Sequence, residues 1–380
     1  MTQIDTSDHW ASHRRLLGIP DEPVTSGTLD AIIVPTIRPP RYLTHAVSLA
    51  RDLGCPLVAL CSGTETDALS VCDVAGRDAE VVALDIRHPH DLNLPWFETS
   101  RVLPPAFHRN TDTATKRNLG LALARMLGLR RIAFLDDDIT VGETGDLRRA
   151  ANLLDRYSEV GLPVRSFPDN SVVCHAFRDI GGSQDTFVGG GALVVEITRS
   201  TSFFPDIYND DWFYLLEEEG LRELAVTGNV RQSPYDPYES PVRARNEELG
   251  DVLAEGLFWL VEEGRKLNEA SEPHWSEFLV RRGRFIEFIM ERLGDAEPGK
   301  RERMLTSLRA ARERLALITP GLCAAYLDAW RADRETWRRH VNALPAGLPL
   351  EAALAHLTLP RRAPLHAVCQ IGLPNIIRLT

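Results

Sequence analysis

Short apolar, β-branched runs alternate with amphipathic segments over the first 230 residues, and that alternation restricts the fold more than any other feature. "LDAIIVPT" (29–36), "PLVALCS" (56–62), "AEVVALDI" (79–86) and "RRIAFLDDD" (130–138) are four such runs. Continuous apolar runs suit strands covered on both faces, as in parallel sheets. Before the fourth lies "TDTATKRNLGLALARMLG", whose Leu119, Leu123, Met126 and Leu127 share one helical stripe. Asp112 or Thr113 is placed to cap this helix, and Gly128 to end it. Strand–helix alternation implies right-handed crossovers and an α/β fold with a mainly parallel sheet flanked by helices. Ligands of such open sheets bind beyond the carboxyl ends of the strands.

From about Leu249 the texture changes. "DVLAEGLFWLVEEG" puts Leu253, Leu257, Leu260 and Val261 on one stripe, and "MLTSLRAARERLALI" does the same with Leu305, Leu308, Ala311, Leu315 and Ile318. "LGDAEPGKRE" breaks this helical appendage into at least two parts. The chain thus divides into an extension (1–28), an α/β body (29–248), a helical region (249–345) and a tail without assignment (346–380).

The fourth run ends in Asp136, Asp137 and Asp138. Adjoining carboxylates raise one another's pKa and cost energy unless a cation or proton neutralises them. One explanation is Mg²⁺ or Mn²⁺, held by one or two carboxylates with substrate phosphates and water completing the shell. The others are a solvated acidic turn and a non-catalytic protein that binds a sugar nucleotide.

Four stretches, in order, carry a resemblance. "TKRNLGLALARMLGLRRIAFLDDDI" resembles the signature of GT-A-fold glycosyltransferases, especially family 2, in which a helix bearing an Arg-Asn pair precedes a strand ending in the DxD motif. "IIVPTIRPPRYLTHAVSLA" is similar to the family's opening strand and first helix, whose junction touches the nucleotide base. "FVGGGALVVEI" (187–197) resembles the Gly-rich acceptor-side strand. "FPDIYNDDWFYLLEEEG" (204–220) resembles the helix start where an acidic pair ends in the catalytic Asp. The likeness covers roughly residues 29 to 230 and implies a Rossmann-like GT-A body, a nucleoside-diphosphate sugar as donor and a divalent metal.

Carried over residue by residue, the resemblance makes Asp138 the principal metal ligand and brings Asp136 to the metal and to the donor's ribose or sugar, with Asp137 between them. Arg117 and Asn118 would face the phosphates or ribose, a solvated first turn being the alternative. Pro35, Thr36 and Arg38 would line the nucleoside pocket, unless Pro35 and Pro39 merely shape a loop. Family members often have an acid after the second strand; here that stretch reads "CSGTETD", which leaves Asp85, after the third, as the candidate for the base. Gly189, Gly190 and Gly191 would let backbone approach the acceptor, or form a bulge. Asp211 aligns with the base that deprotonates the acceptor and Asp210 with its neighbour. Capping by Asn209 or Asp210 explains the same residues. Trp212 offers a ring to a sugar face or packs in the core. Relatives often add a His ligand; "AVTGNVRQSPYDPYESP" has Gln232 and no His, leaving His175 and His274 as the nearest.

A rival resemblance is the DxDxT motif of haloacid-dehalogenase-type phosphatases, with Asp136 as nucleophile. That motif belongs on a first strand and needs a later lysine, whereas Lys266 and Lys300 fall in the helical region. A net charge of −11 argues against nucleic acid as a partner. Without an apolar run of about 18 residues, no membrane span is expected. The six cysteines form no CxxC pair, which suits free thiols in a cytoplasmic protein. The expectation is a cytoplasmic, inverting glycosyltransferase with a small soluble acceptor, the helical appendage shaping the acceptor pocket or mediating homodimerisation.

Overall fold

A computed structural model describes residues 18, 27–76, 79–167, 171–183, 188–295 and 297–358. Most of the N-terminal extension, the chain beyond 358 and Cys369 lie outside the described residues. The four apolar runs form β1 (Ala31–Thr36), β2 (Leu57–Cys61), β3 (Val81–Asp85) and β4 (Arg131–Leu135). They are followed by β5 (Ile139–Val141), β6 (Glu159–Gly161), β7 (Ala192–Glu196), β8 (Leu224–Val226) and β9 (Val230–Gln232).

Seven strands make one sheet in the order β3-β2-β1-β4-β7-β6-β8, and β5 with β9 makes a small second one. The contacts β1–β2, β2–β3, β1–β4 and β6–β8 are parallel. β7 runs against both its neighbours. The α/β class and the mainly parallel sheet read from the alternation are therefore present. From β1 the chain steps outward through β2 and β3, then re-enters on the other side of β1 with β4. The reversal leaves a crevice beyond the carboxyl ends of β1 and β4, where such sheets bind ligands.

Helices cover both faces. α1 (Thr44–Leu53), α2 (Ala68–Ala75) and, after α3 (Glu98–Val102) and α4 (Thr113–Leu127), α5 (Thr144–Leu153) follow in chain order. α1, α2 and α5 close one face over Ile32, Val34 and Ala59. α4 lies on the other, over Ile33 and Phe134. Gly128 ends α4 in the left-handed conformation (φ 77°) as expected. Asp112 stands at its N-cap position without a capping bond, because its carboxylate pairs with Lys116 instead.

α6 (Val172–Asp179) and α7 (Asp210–Leu215) precede the helical region: α8 (Pro241–Glu262), α9 (Glu272–Glu291), α10 (Pro298–Leu315), α11 (Pro320–Ala343) and α12 (Leu350–His356). Its first helix starts at Pro241, so residue 249 falls inside α8. A second break at Thr319, whose hydroxyl caps α11, accompanies the expected one between α9 and α10. The region shares one continuous core with the α4 face of the sheet, Trp275, Trp330 and Trp337 being fully buried in it. No helix among the described residues is long and apolar enough to cross a membrane. The five described cysteines are free.

α11 is fastened to the body by Asp333, whose carboxylate accepts from the N–H groups of Glu98 and Thr99 at 2.7 Å each, capping α3. Asp333→Ala is expected to lower stability by about 1–3 kcal/mol, because the buried Thr99 N–H and the part-buried Glu98 N–H lose their acceptor. Urea unfolding measures it, and an unshifted midpoint would mean that α11 does not dock there.

Candidate active site

At the end of β4 the chain turns at once. The Ile139 N–H donates to the Asp136 carbonyl at 3.1 Å, so Asp136, Asp137 and Asp138 fan out of one tight turn. The turn is held from the far side by Ser233, whose N–H donates to the Asp138 carbonyl at 2.9 Å. Each carboxylate of the triplet meets a cation. Arg38 Nη1 reaches Asp137 Oδ1 at 2.5 Å and Arg38 Nη2 reaches Asp138 Oδ2 at 2.7 Å. The Thr36 hydroxyl donates to Asp137 Oδ2 at 2.6 Å. Burial pushes the Asp137 carboxyl up from its ordinary value despite these partners. Asp136 faces Arg117, whose Nη2 lies 3.0 and 3.1 Å from its two oxygens.

Arg117 is buried under the ring of Phe204, 5.4 Å from its centroid. Its Nη1 donates to both oxygens of Asp210 at 3.1 Å. It therefore touches carboxylates where contact with the donor's phosphates was expected, and links the triplet to the acidic pair of α7. The three glycines make room for this network. A Cβ on Gly189 would stand 2.8 Å from Asp211 Oδ2, one on Gly190 2.7 Å from Arg117 Cζ, and one on Gly191 2.8 Å from Asp136 Oδ2. Their missing side chains admit the site's own charged groups.

Asp211 Oδ2 accepts from the Gly190 N–H at 2.8 Å, and its Oδ1 from the Trp212 N–H at 2.9 Å. Burial, and then the neighbouring Asp210 carboxylate, push its pKa up to about 7. Burial also raises Asp210. Capping does not account for the pair. Asn209 occupies the N-cap position with no side-chain capping bond, and Asp210 is bonded to Arg117.

Several expectations are corrected. Asn118 is buried with both ends of its amide bonded to the Phe204 backbone, at 2.8 Å each, so it fastens the segment before α7 and does not face a donor. Trp212 packs edge-on against Phe258 of α8, 4.9 Å between centroids, which is the core-packing alternative. His175 lies against Phe167 and Tyr235 in a separate pocket of about 410 Å³, and burial lowers its pKa to about 3. His274 bonds the Gly256 carbonyl. Neither histidine lines the cavity that holds the triplet.

Pro35, Thr36, Arg38, Asp85 and the triplet all line one polar cavity of about 1140 Å³ at the carboxyl ends of the strands. Asp85 Oδ1 is partly committed there, accepting from the Ala68 N–H at the start of α2 (2.8 Å). Sequence reasoning passed over two further residues. Lys116, also lining the cavity, is buried and donates to the Thr36 carbonyl (2.9 Å) and the Ser62 hydroxyl (2.7 Å) while pairing with Asp112 (3.0 Å). It ties together the ends of β1 and β2 and the start of α4. Asp206 stands before α7 with Oδ1 buried and unbonded, and burial pushes it up to about 6. The lone lysine of the cavity adjoining Arg117 was a readable signal; nothing local distinguishes Asp206.

No family model matches the chain, and no curated protein matches it. Among solved structures it is similar to a mannosyltransferase from Pyrobaculum calidifontis in complex with GDP-mannose and Mn²⁺, with 14% identity over 85% of this chain and 88% of that one, and a TM-score of 0.40. It is also similar to core-mannan synthase A from Aspergillus fumigatus in its Mn/GDP form, with 10% identity over 48% of this chain and 68% of that one, and a TM-score of 0.26. Likeness at this level carries no functional weight; the geometry has to.

Arg117→Met should destabilise the protein by about 3–5 kcal/mol, since Asp136 and Asp210 then lose their shared cation while still half-buried or buried. Chemical denaturation at neutral pH reads this; a loss below about 1 kcal/mol would mean that water already satisfies the carboxylates.

Proposed function

We propose that the chain is a glycosyltransferase that moves a hexosyl or pentosyl group from a nucleoside-diphosphate sugar to a hydroxyl of a small soluble acceptor, with inversion and with a divalent metal. The observation that carries this reading is the Arg117 bridge. One buried guanidinium holds Asp136, at the mouth of the cavity, and Asp210, which adjoins the proposed base Asp211. Transfer needs these two ends side by side: one for the diphosphate, one for the attacking hydroxyl.

The residues present fit a divalent cation. Asp136, Asp137, Asp138 and Asp210 make four carboxylates that share two guanidinium groups, Arg38 and Arg117, leaving an excess of two negative charges. Asp138 and Asp137 already share one cation, the side chain of Arg38, which is 40% exposed. These two would hold Mg²⁺ or Mn²⁺, with Asp136, expected as the second ligand, steadied beside them by Arg117. When bound, such a metal neutralises the diphosphate and stabilises charge on the leaving nucleoside diphosphate.

The chain's own residues supply the rest. Thr36, Lys116 and Asp85 form the floor and rim of a cavity roomy enough for a nucleotide sugar. Arg38, once released from its carboxylates, can pair with the donor's phosphates. Asp211 takes the proton of the acceptor hydroxyl as its oxygen bonds to the anomeric carbon and the bond to the diphosphate breaks. A carboxyl with a pKa of about 7 suits a base working near neutrality. The phosphatase reading is disfavoured, because Asp136, its nucleophile, has both oxygens engaged by Arg117.

Calorimetry with Mn²⁺ and UDP or GDP tests the metal end: Asp138→Ala is expected to abolish metal-dependent nucleotide binding, and unchanged binding would refute the assignment. At the other end, Asp211→Asn should keep donor binding and slow transfer by about 10²–10⁴-fold. Because the base must be ionised, log kcat should climb with pH and level off above about 7, the value to which burial pushes Asp211. A rate that falls across that range would place the base elsewhere.

A further inference from the structure

The start of α7 has an unusual backbone, and α8 grips it. Asn209, φ 63° and ψ 35°, is the single non-glycine residue with positive φ among the described residues. Such a conformation persists only where the surroundings hold it. On one side, Gly250 of α8 packs so closely that a Cβ there would lie 2.1 Å from the Tyr208 carbonyl oxygen. On the other, Asn209 Nδ2 donates to Asp251 Oδ1 at 3.0 Å.

Asp251 is itself fixed. Its Oδ2 accepts from Arg282 Nη2 of α9 at 2.7 Å. Arg282 also donates to both oxygens of Glu248 (2.9 Å each) and to both of Glu255 (3.1 and 3.2 Å). All four side chains are buried. Burial pushes Glu248 up to about 7 and Glu255 up to about 8. One guanidinium against three carboxylates exceeds what pairing two helices requires, and it leaves the Asp251 carboxylate a single direction. Cys174, Asp251 and Glu255 also bring three ligand atoms together, but Arg282 already occupies both carboxylates. The cluster is a rigid anchor.

Asp210 and Asp211 follow Asn209 directly. Asp211 is aimed by two backbone groups, the N–H of Gly190 and that of Trp212, so its direction depends on the path of residues 209–212. We propose that Arg282, Asp251 and Asn209 form a positioning relay through which the helical region fixes the Asp211 carboxylate against the glycine-rich turn. This rests on the reading of Asp211 as base, and it gives the helical region a part in the chemistry: α8 and α9 set the catalytic geometry without touching substrate.

The test uses the full chain with Asn209→Gly, Asp251→Ala and the double variant. Glycine tolerates the left-handed backbone but lacks the amide. Alanine at 251 removes the acceptor together with one excess negative charge, so the cluster keeps a paired arginine. Amide hydrogen exchange at Gly190 and Trp212 is read alongside nucleoside-diphosphate release from UDP-glucose and from GDP-mannose with Mn²⁺, water serving as acceptor. Each single variant should lose about tenfold in protection at both amides and about tenfold in kcat, with donor KM unchanged. The double variant should be no worse than the worse single one, since both cut the same chain of contacts. Unchanged protection in the single variants, additive losses in the double, or a measurable wild-type turnover that survives lost protection would each overturn the relay. Protection lost while wild type and variants alike release no diphosphate would uphold the relay and count against Asp211 as base. Should Asn209→Gly fail to fold, Asp251→Ala alone decides the matter.

Discussion

Arg117 is buried beside Phe204, where a cation is costly unless carboxylates surround it. Asp136 and Asp210 surround it, one from the end of β4 and one from the first turn of α7, 93 residues further along the chain from Arg117. Removing Arg117 leaves two carboxylates without their shared cation. Gly190 and Gly191 exist as glycines because larger residues would collide with Arg117 and Asp136, and Gly189 because Asp211 lies against it. The aspartate turn after β4, the glycine-rich stretch and the acidic helix start are thus one electrostatic unit.

Much of this was readable along the chain, within limits set by distance. The four runs from "LDAIIVPT" to "RRIAFLDDD" became β1 to β4 because burial on both faces demands unbroken apolar sequence. The cation required by three adjoining aspartates was deducible from charge alone. Its source was not: Arg38 comes from 99 residues before Asp137, and only the pairing of β1 with β4 brings them together. Asn118 was read as facing a ligand because it opens a helix next to Arg117, yet its side chain points at a backbone segment 86 residues away. The glycine triplet was legible as a place of close approach, while the approaching groups were not. Trp212 illustrates the same limit, for its partner Phe258 belongs to a helix whose docking no local pattern encodes.

The helical region was legible as helices from its apolar stripes and silent about its purpose. Its buried face joins the core of the α/β body, and Asp333 caps α3 across that junction. On α8, Glu248, Asp251 and Glu255 all point inward to Arg282. Buried charge clusters cost stability that apolar packing of the same volume would not. Here the cost coincides with a left-handed residue two positions before the proposed base, so the cluster and the base are read together.

The triplet's attachment to a divalent cation is the claim on which the functional account turns. Diffraction at the manganese edge, from crystals soaked with Mn²⁺ and a nucleoside diphosphate, tests it most directly. The account expects an anomalous peak against Asp138 and Asp137, with the diphosphate beside it and the Arg38 side chain displaced from both carboxylates. A map with no peak and Arg38 still bridging Asp137 and Asp138 would contradict it.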